Sequence, residues 1–549
     1  MVKNFKILYL SIGLAFLFLI ISLFQIKGYF LTSYEGKYVT FAVFANSFRD
    51  ILQANTNGIN VYDGGPLYFL IVRFFIKIFG SQSELIVRLP SVLISLMTIA
   101  FVYLFMKKFT ENKYFSLISL IVFSLNISFL TFSSVSIPQI MASDFALISV
   151  LFGCYPLFSK NSSKNHLYFT GFWFFIFLVV FTDLLTAVVP LSVVILSYLM
   201  QKRFTDFLKP VNLVFAIFSA FLVAYNWQML SYKVSESIPL FDYFLNDRNI
   251  KIQLFLFVKY FVGIFAGLMP WSVLFIAILG MVVSRFGKLL KSLSDFEFTN
   301  ENKILLVSLT GFFLSSLAFF LNHSFSNVIL ADSFAALSVG YFWYKHIFKD
   351  KFNALINFSS SFFFGITLLF AVSLIIAYFF MENYLKLYFE PLLIPLITIT
   401  LLVAIPGFIF VVLNKKVFNL SVHILFSLIF YFVLTNVLFN YLNSFGESEL
   451  ITYAYGARDN VYKLATYDLK NKYVIPFYFG NIVEFNDKLT DDEIYNKYGN
   501  TYDIRLIMKI KSLENFDGKF VYELLESGNT YCVITNIKKL PSDNRDESE

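Results

Sequence analysis

Residues 1–26 read MVKNFKILYLSIGLAFLFLIISLFQI, a short basic head from Met1 to Lys6 followed by an unbroken apolar run to about Ile26. A helix of about 20 apolar residues crosses a bilayer, so this run predicts a membrane span. It lacks a small-residue cleavage site, which predicts a retained span rather than a removable signal. Runs of the same kind return at 90–107, 113–135, 141–159, 167–181, 184–200, 211–231, 259–284, 303–321, 327–347, 361–381, 388–413 and 419–442, about thirteen spans altogether. Around Thr182 and Asp183 the pair covering 167–200 reads either as two spans or as one long kinked helix. The fold class that follows is mainly α, a polytopic membrane protein with a membrane domain over 1–442 and a polar domain over 443–549.

Composition points the same way. Hydrophobic residues make up 58% of the chain and charged residues 14%, against roughly 25% charged in soluble globular proteins. The solvent for most of this protein is lipid. The 73 Phe residues are spread through the apolar runs and read as lipid-facing bulk rather than a cofactor box. Cys154 lies in an apolar run and Cys532 in the polar stretch, so they form neither a disulfide framework nor a metal cluster. The net charge of +7 does not signal nucleic acid, because Lys and Arg are scattered over short loops rather than gathered in a stripe.

Those loops set the topology. Lys3 and Lys6; Lys107, Lys108 and Lys113; Lys160 and Lys164; Lys202, Arg203 and Lys209; Arg285, Lys288 and Lys291; Lys345, Lys349 and Lys351; and Lys415 and Lys416 all fall in alternate loops. The positive-inside rule makes that side cytoplasmic. An odd span count then places the N-terminus in the cytoplasm and residues 443–549 outside.

Two outer loops are long, 27–89 and 232–258. The first contains Leu67 to Phe79, where Arg73 and Lys77 stand four apart on one helical face, the pattern of a helix lying in the membrane interface. Residues 443–549 alternate strand-like runs (Tyr473 to Phe479, Lys519 to Leu525, Thr530 to Thr535) with a polar helix at Asp491 to Tyr498. They predict a small α/β domain with a disordered acidic end, Ser542 to Glu549.

Ionisable residues in membrane spans are costly, and those that persist face cavities or substrate paths. Here the acids fall on the outer side: Glu35 after the first span, Asp63 in the first loop, Asp144 at the start of the fourth span, Asp183 at a turn and Asp332 entering the tenth span. Arg248, Lys251 and Lys259 occupy or border the second outer loop. Carboxylates and cations gathered at one surface beneath an interfacial helix suit an anionic amphiphile. Arg and Lys would hold its phosphate, and a carboxylate would act as base or orient a sugar. The chain has no phosphate-binding Gly loop and no HExxH motif. His166, His346 and His423 lie toward the cytoplasmic side, leaving only His323 outside, so no catalytic zinc is expected.

Several stretches resemble a known family. Tyr34-Glu35-Gly36-Lys37-Tyr38 is similar to the Asp-Glu-x-Arg-Tyr motif opening the first periplasmic loop of GT-C glycosyltransferases of the protein O-mannosyltransferase and ArnT (lipid A aminoarabinose transferase) type. Tyr62-Asp63-Gly64-Gly65-Pro66-Leu67-Tyr68 is similar to their Phe-Glu-Lys-Pro-Pro-Leu-Tyr segment, and Arg88-Leu89-Pro90-Ser91 to their Arg-Leu-Pro-Ser. Asp144 matches an Asp at the start of the fourth span, and Pro270-Trp271 a Pro-Trp pair.

The resemblance implies the GT-C fold and an inverting transferase of the inner membrane. Such an enzyme moves a sugar, an aminosugar in the ArnT branch, from undecaprenyl phosphate to lipid A or a related envelope glycolipid. It implies catalytic roles for Glu35, Asp63 and Asp144, and phosphate contacts from Arg248, Lys251, Lys37 and Lys259. No cofactor is implied with certainty; a divalent cation stays open. The departures are Tyr34 for the leading Asp, Gly64 for a Lys and Asp183 for the Lys of a Thr-Lys-Gly turn. A hydroxyl acceptor must lose a proton as it attacks, whereas a phosphate acceptor is already largely anionic, with a second pKa of about 6. Loss of the leading Asp therefore favours the lipid A branch over protein O-mannosylation. The rival of another class, a lipid or sugar transporter or flippase, would want charges near the midplane and repeated halves with broken helices, and the chain shows no internal repeat.

Overall fold

The computed structural model describes residues 31–45, 50–51, 55–56, 59–61, 64–158, 165–208, 212–219, 250–284, 299–322, 324–381, 383–433, 447–458, 462–469, 472–486, 489–501, 503–517, 519–528 and 530–539, with a few single positions besides. Apart from single positions, the first apolar run falls outside the described residues, as do Asp63, Arg248, His323 and 542–549. Each of the other twelve apolar runs contains helix.

Seven helices are long and apolar enough to cross a membrane by length and composition: Glu84–Thr110, Pro138–Phe158, Asn300–Leu321, Phe325–Lys349, Asn353–Phe380, Leu393–Val412 and Lys416–Val433. A pair bent by 119°, Val258–Gly267 and Ser272–Ser284, makes an eighth if it is one span, and Lys113–Ser124, Asn165–Val180 and Leu184–Met200 are shorter apolar helices. The chain is a mainly α, multi-pass membrane protein with a small sheet near its C-terminal end.

Two runs differ in detail from the sequence expectation. The run 113–135 is broken at Asn126, which caps a second helix, Ile127–Phe132, by accepting from the Phe129 N–H at 2.8 Å. Asn competes with the helical ladder by bonding nearby backbone groups, and here it stops one helix and starts the next. The pair at 167–200 resolves into two helices: Asn165–Val180 ends before Asp183, and the chain restarts through a 3₁₀ turn, Leu184–Ala187, into Val188–Met200.

The chain folds as two compact units. The first contains Met1–Lys27, Tyr62–Ile71 and Arg88–Leu438. Its middle is formed by Phe325–Lys349 and Pro138–Phe158, 94% and 89% buried over their most apolar windows, against 22% for Asn353–Phe380 at the edge. The central pair is rich in Ser, Ala and Gly, the residues that let membrane helices approach closely. Hydroxyls that would be stranded in lipid bond carbonyls one turn back, as Ser333 does to Ile329 and Ser338 to Phe334. Outer helices turn Phe358, Phe362 and Phe379 outward.

Cations gather at one end of the same two central helices, while two buried acids lie toward the other. Asp144 and Asp332 stand near their N-terminal ends. At the opposite ends Arg203 Nη1 and Lys303 Nζ donate to the carbonyls of Pro156 and Leu157 at 3.2 and 2.8 Å, and Lys345 pairs with Glu301. Lys416 pairs with Asp350 just beyond the helix Phe325–Lys349.

The second unit contains Gly28–Val61, Val72–Val87 and Phe439–Glu549. A short antiparallel hairpin, β1 (Asn55–Thr56) and β2 (Ile59–Asn60), lies in the first stretch. The last stretch builds a five-stranded sheet from β3 (Lys463–Thr466), β4 (Glu484–Phe485), β5 (Ile504–Lys509), β6 (Phe520–Ser527) and β7 (Tyr531–Lys539), in the order β4-β3-β5-β7-β6. The β3–β4 and β3–β5 pairs are parallel, and β5–β7 and β6–β7 antiparallel. Ala465, Leu506, Met508, Cys532 and Ile534 meet Ile494, Tyr498 and Phe516 of the covering helices Asp491–Tyr498 and Ile510–Asp517 in one core.

The strands expected at 519–525 and 530–535 are present within β6 and β7, and the helix Asp491–Tyr498 is as read. Tyr473 to Phe479 is not a strand. Lys472–Val474 forms a 3₁₀ turn and Ile475–Phe479 a helix ended by Gly480 at φ 78°. Pro476 fits the first turn of a helix, where its missing N–H is not needed, and glycine takes the left-handed stop.

Candidate functional site

In the first unit, Asp144 is 4% exposed and its Oδ2 accepts from the Ser95 hydroxyl at 2.8 Å. Ser95 comes from Glu84–Thr110, so the carboxylate is positioned from a neighbouring helix rather than by its own turn. The segment Gly64 to Tyr68 is firmly held in the same unit. Gly65 N–H donates to Thr182 O at 2.8 Å, Leu67 N–H to Phe181 O at 3.0 Å, and Tyr68 Oη to Ser136 O at 2.7 Å. The approach at Gly65 is so tight that a Cβ would lie 2.2 Å from Phe181 O.

Asp183 and Asp332 both belong to this unit and differ sharply. Asp183 Oδ2 accepts from the hydroxyls of Thr186 and Ser324, each at 2.7 Å, and Ser326 at 2.5 Å. It ties its turn to the start of Phe325–Lys349, which is a structural role. Asp332 is 1% exposed and faces the bend before Pro270-Trp271: a Cβ at Gly267 would come within 2.6 Å of its Oδ2 and 2.9 Å of Ser128 Cβ. Neither carboxylate oxygen accepts a hydrogen bond of normal geometry from a described residue. Trp271 itself stacks on His423, ring centroids 5.5 Å apart. The sequence placed Asp332 among the outer acids but outside the candidate catalytic set; its burial with no hydrogen bond of normal geometry, the Ser128 hydroxyl being the one beside it at Gly267, makes it the stronger functional candidate of the two.

In the second unit, Glu35 opens the helix Ser33–Phe44. Its carboxylate accepts from Thr32 N–H at 3.1 Å, and Glu35 N–H donates to Thr32 Oγ1 at 3.2 Å, a reciprocal cap. Glu35 is 1% exposed. Lys37 is half-buried with Nζ 5.5 Å from the Tyr38 ring centroid. Residues two apart point about 200° apart around a helix, so Glu35 and Lys37 do not converge on one atom. Tyr34 is exposed, and its hydroxyl receives that of Tyr38 at 3.1 Å.

The helix is tied to residues 473–478. Tyr478 Oη receives Leu31 N–H at 2.7 Å, Thr40 Oγ1 donates to Tyr473 O at 2.7 Å, and Gly36 packs on Val474. Sequence reasoning missed Ser95, Tyr473 and Tyr478. The first had no signal beyond a Ser in an apolar run, and the other two were hidden by the strand reading. Thr32-x-x-Glu35 was a legible capping pattern.

Lys251 and Lys259 lie on the helix Ile250–Gly267; Lys259 is exposed, and the Lys251 side chain is outside the described set. Asp63 and Arg248 are outside it entirely. The structure thus brings Asp144 together with Ser95, and Glu35 with Thr32. Among the described residues no three His, Cys, Asp or Glu side chains gather as metal ligands.

No protein-family model matches the chain, and no curated relative matches it by sequence. Solved structures do match. ArnT from Cupriavidus metallidurans bound to undecaprenyl phosphate superposes with a TM-score of 0.68 at 10% identity, over 96% of this chain and 98% of that one. The same protein in its apo state gives 0.66 at 11% identity, over 97% and 98%. The GT-C fold expected from the sequence is the fold of this chain, nearly end to end.

Proposed function

We propose that the chain is an inverting glycosyltransferase that moves a sugar, an aminosugar by preference, from undecaprenyl phosphate to lipid A or a related envelope glycolipid. The observation that carries this reading is the shared fold over almost the full length of ArnT, a protein whose solved structure holds undecaprenyl phosphate. The ordered motifs at 34–38, 62–68, 88–91, 144 and 270–271 support it. In the proposed arrangement 1–442 is the transferase domain of the inner membrane, with the N-terminus cytoplasmic, and 443–549 is periplasmic.

In the reaction an acceptor oxygen attacks the anomeric carbon from the face opposite the donor phosphate. The C–O bond to that phosphate breaks, and the polyprenyl phosphate leaves with the electron pair. A phosphate acceptor brings an oxygen that is already anionic, so no strong base is needed. Asp144, fixed by Ser95, aligns the donor sugar, with Glu35 and Asp63 as the other carboxylates of the proposed set. Arg248, Lys251, Lys37 and Lys259 are the cations proposed to hold phosphate, where a guanidinium can bind bidentately and stabilise the leaving charge.

The test is mass spectrometry of lipid A from cells with the gene, without it, and with Asp144→Asn. Loss of one sugar mass in both the deletion and the variant is expected. An unchanged lipid A spectrum, with labelled sugar appearing in protein instead, would move the acceptor to a Ser or Thr hydroxyl.

A further inference from the structure

The second unit contains a cleft whose walls include neither Glu35 nor Asp144. Its volume is about 1010 Å³, and its walls come from Gly80–Glu84, from Tyr455, Arg458, Tyr462 and Lys463, and from the 479–482 turn. The lining is mostly polar. Arg458 and Lys463 are exposed and form no salt bridge with a described residue, and the Arg458 guanidinium lies over the turn at Gly480, its Nε 3.5 Å from where a Cβ would stand. Glu84 is the one carboxylate in the wall. Tyr455 and Tyr462 are 44% and 39% exposed, and the Arg505 guanidinium sits 4.3 Å from the Tyr462 ring centroid, adding a third cation behind the wall.

Two cations without a salt-bridge partner among the described residues select an anion, and Arg presents its donors in the fork that matches phosphate. Exposed tyrosine rings offer flat apolar faces to the C–H side of a sugar, with hydroxyls at the edge for its OH groups. The helix Pro66–Phe79 ends at the rim of this cleft and turns Phe74, Ile78 and Phe79 outward. An apolar surface next to a cationic, aromatic cleft suits a sugar headgroup with or without a lipid anchor.

We infer that this cleft is a binding site for a phosphorylated saccharide, with Arg458 and Lys463 holding the phosphate and Tyr455 and Tyr462 the sugar. It rests on the proposed transferase reading only in suggesting that the saccharide belongs to the acceptor; the binding itself is independent of transfer.

The experiment uses the full chain in phosphatidylcholine nanodiscs, without donor, and titrates glucosamine 6-phosphate, glucosamine and inorganic phosphate by thermophoresis. Glucosamine 6-phosphate should bind saturably and more tightly than either part alone. Arg458→Ala and Lys463→Ala should each weaken it roughly tenfold, the loss of one charge-assisted hydrogen bond. Glu84→Gln should bind as well or better, and Asp144→Asn should bind normally even when transfer is abolished. Discs carrying a monophosphorylated glucosamine disaccharide lipid distinguish the source: displacement of the soluble probe assigns a lipid-anchored ligand, and retention assigns a free saccharide. Glucosamine binding as tightly as its phosphate, or unchanged binding in the Arg458→Ala/Lys463→Ala double variant, would overturn the site. If that double variant does not fold, Arg458→Lys serves in its place, with weakened binding expected and wild-type binding counting against the proposal.

Discussion

Three hydroxyls converge on Asp183, while Asp332 lies buried among neighbours that give it no normal hydrogen bond from a described residue. The two should therefore respond oppositely to neutralisation. Asp183→Ala strands the hydroxyls of Thr186, Ser324 and Ser326 and should lower stability by about 2 kcal/mol or more, read as a fall in Tm of the detergent-solubilised protein. Asp332→Asn removes the charge of a buried carboxylate while keeping its shape, so Tm should hold or rise; a clear fall would reveal a partner for the carboxylate. Ser95→Ala removes the 2.8 Å donor to Asp144, leaving the neighbouring Thr98 hydroxyl, and should reduce transfer while the fold survives. These distinctions were only half legible. The outer position of each acid followed from hydropathy, but whether hydroxyls would meet it depended on Ser324 and Ser326, more than a hundred residues from Asp183, and no local pattern reports such a pairing.

Elements were read well where one rule governed them and poorly where two competed. Long apolar runs became helices because a backbone in lipid must satisfy itself. The run 113–135 is two helices rather than one continuous helix because one Asn could feed its side chain to the backbone. Tyr473 to Phe479 is a turn and a helix rather than a strand because Pro476 fits a helix's first turn and Gly480 takes its left-handed stop, whatever the strand preference of its aromatic residues. That short helix is what Tyr478 uses to grip Leu31, so Tyr478→Phe should loosen Ser33–Phe44 by about 1 kcal/mol, seen as faster amide exchange over 31–44 with little change in the sheet. At Gly65 a side chain has no room against Phe181 O, and Gly65→Ala should break the hydrogen bond to Thr182 and lower Tm by several degrees, whereas alanine at the open position Gly280 should not.

Across the molecule, the gathering of cations at one end of the central helices was already visible in the sequence as alternate basic loops. The membership of the second unit was not, since it joins residues 28–61 and 72–87 to 439–549 and such closure leaves no trace in a linear pattern. Its sheet carries its own pH sensitivity. A hydrogen bond from Lys497, helped by Tyr498, holds the Glu484 carboxyl below its usual 4.5. A group whose pKa is depressed on folding stabilises above its unfolded value and loses that contribution as pH falls through the folded one. Amide protection over 463–498 should therefore decline below about pH 4.5, and Glu484→Gln should flatten that decline.

The grip of Tyr478 on Leu31 closes 447 residues of sequence. A ribosome adding about 5–20 residues per second needs roughly 20 to 90 s to cover that distance. Through that interval the nascent first loop waits without its fastening, and a chain stopped before residue 472 would never receive it. Residues 473–478 thus set the moment at which the Glu35 helix is locked, so this part of the protein is assembled only after the apolar runs between them have been made.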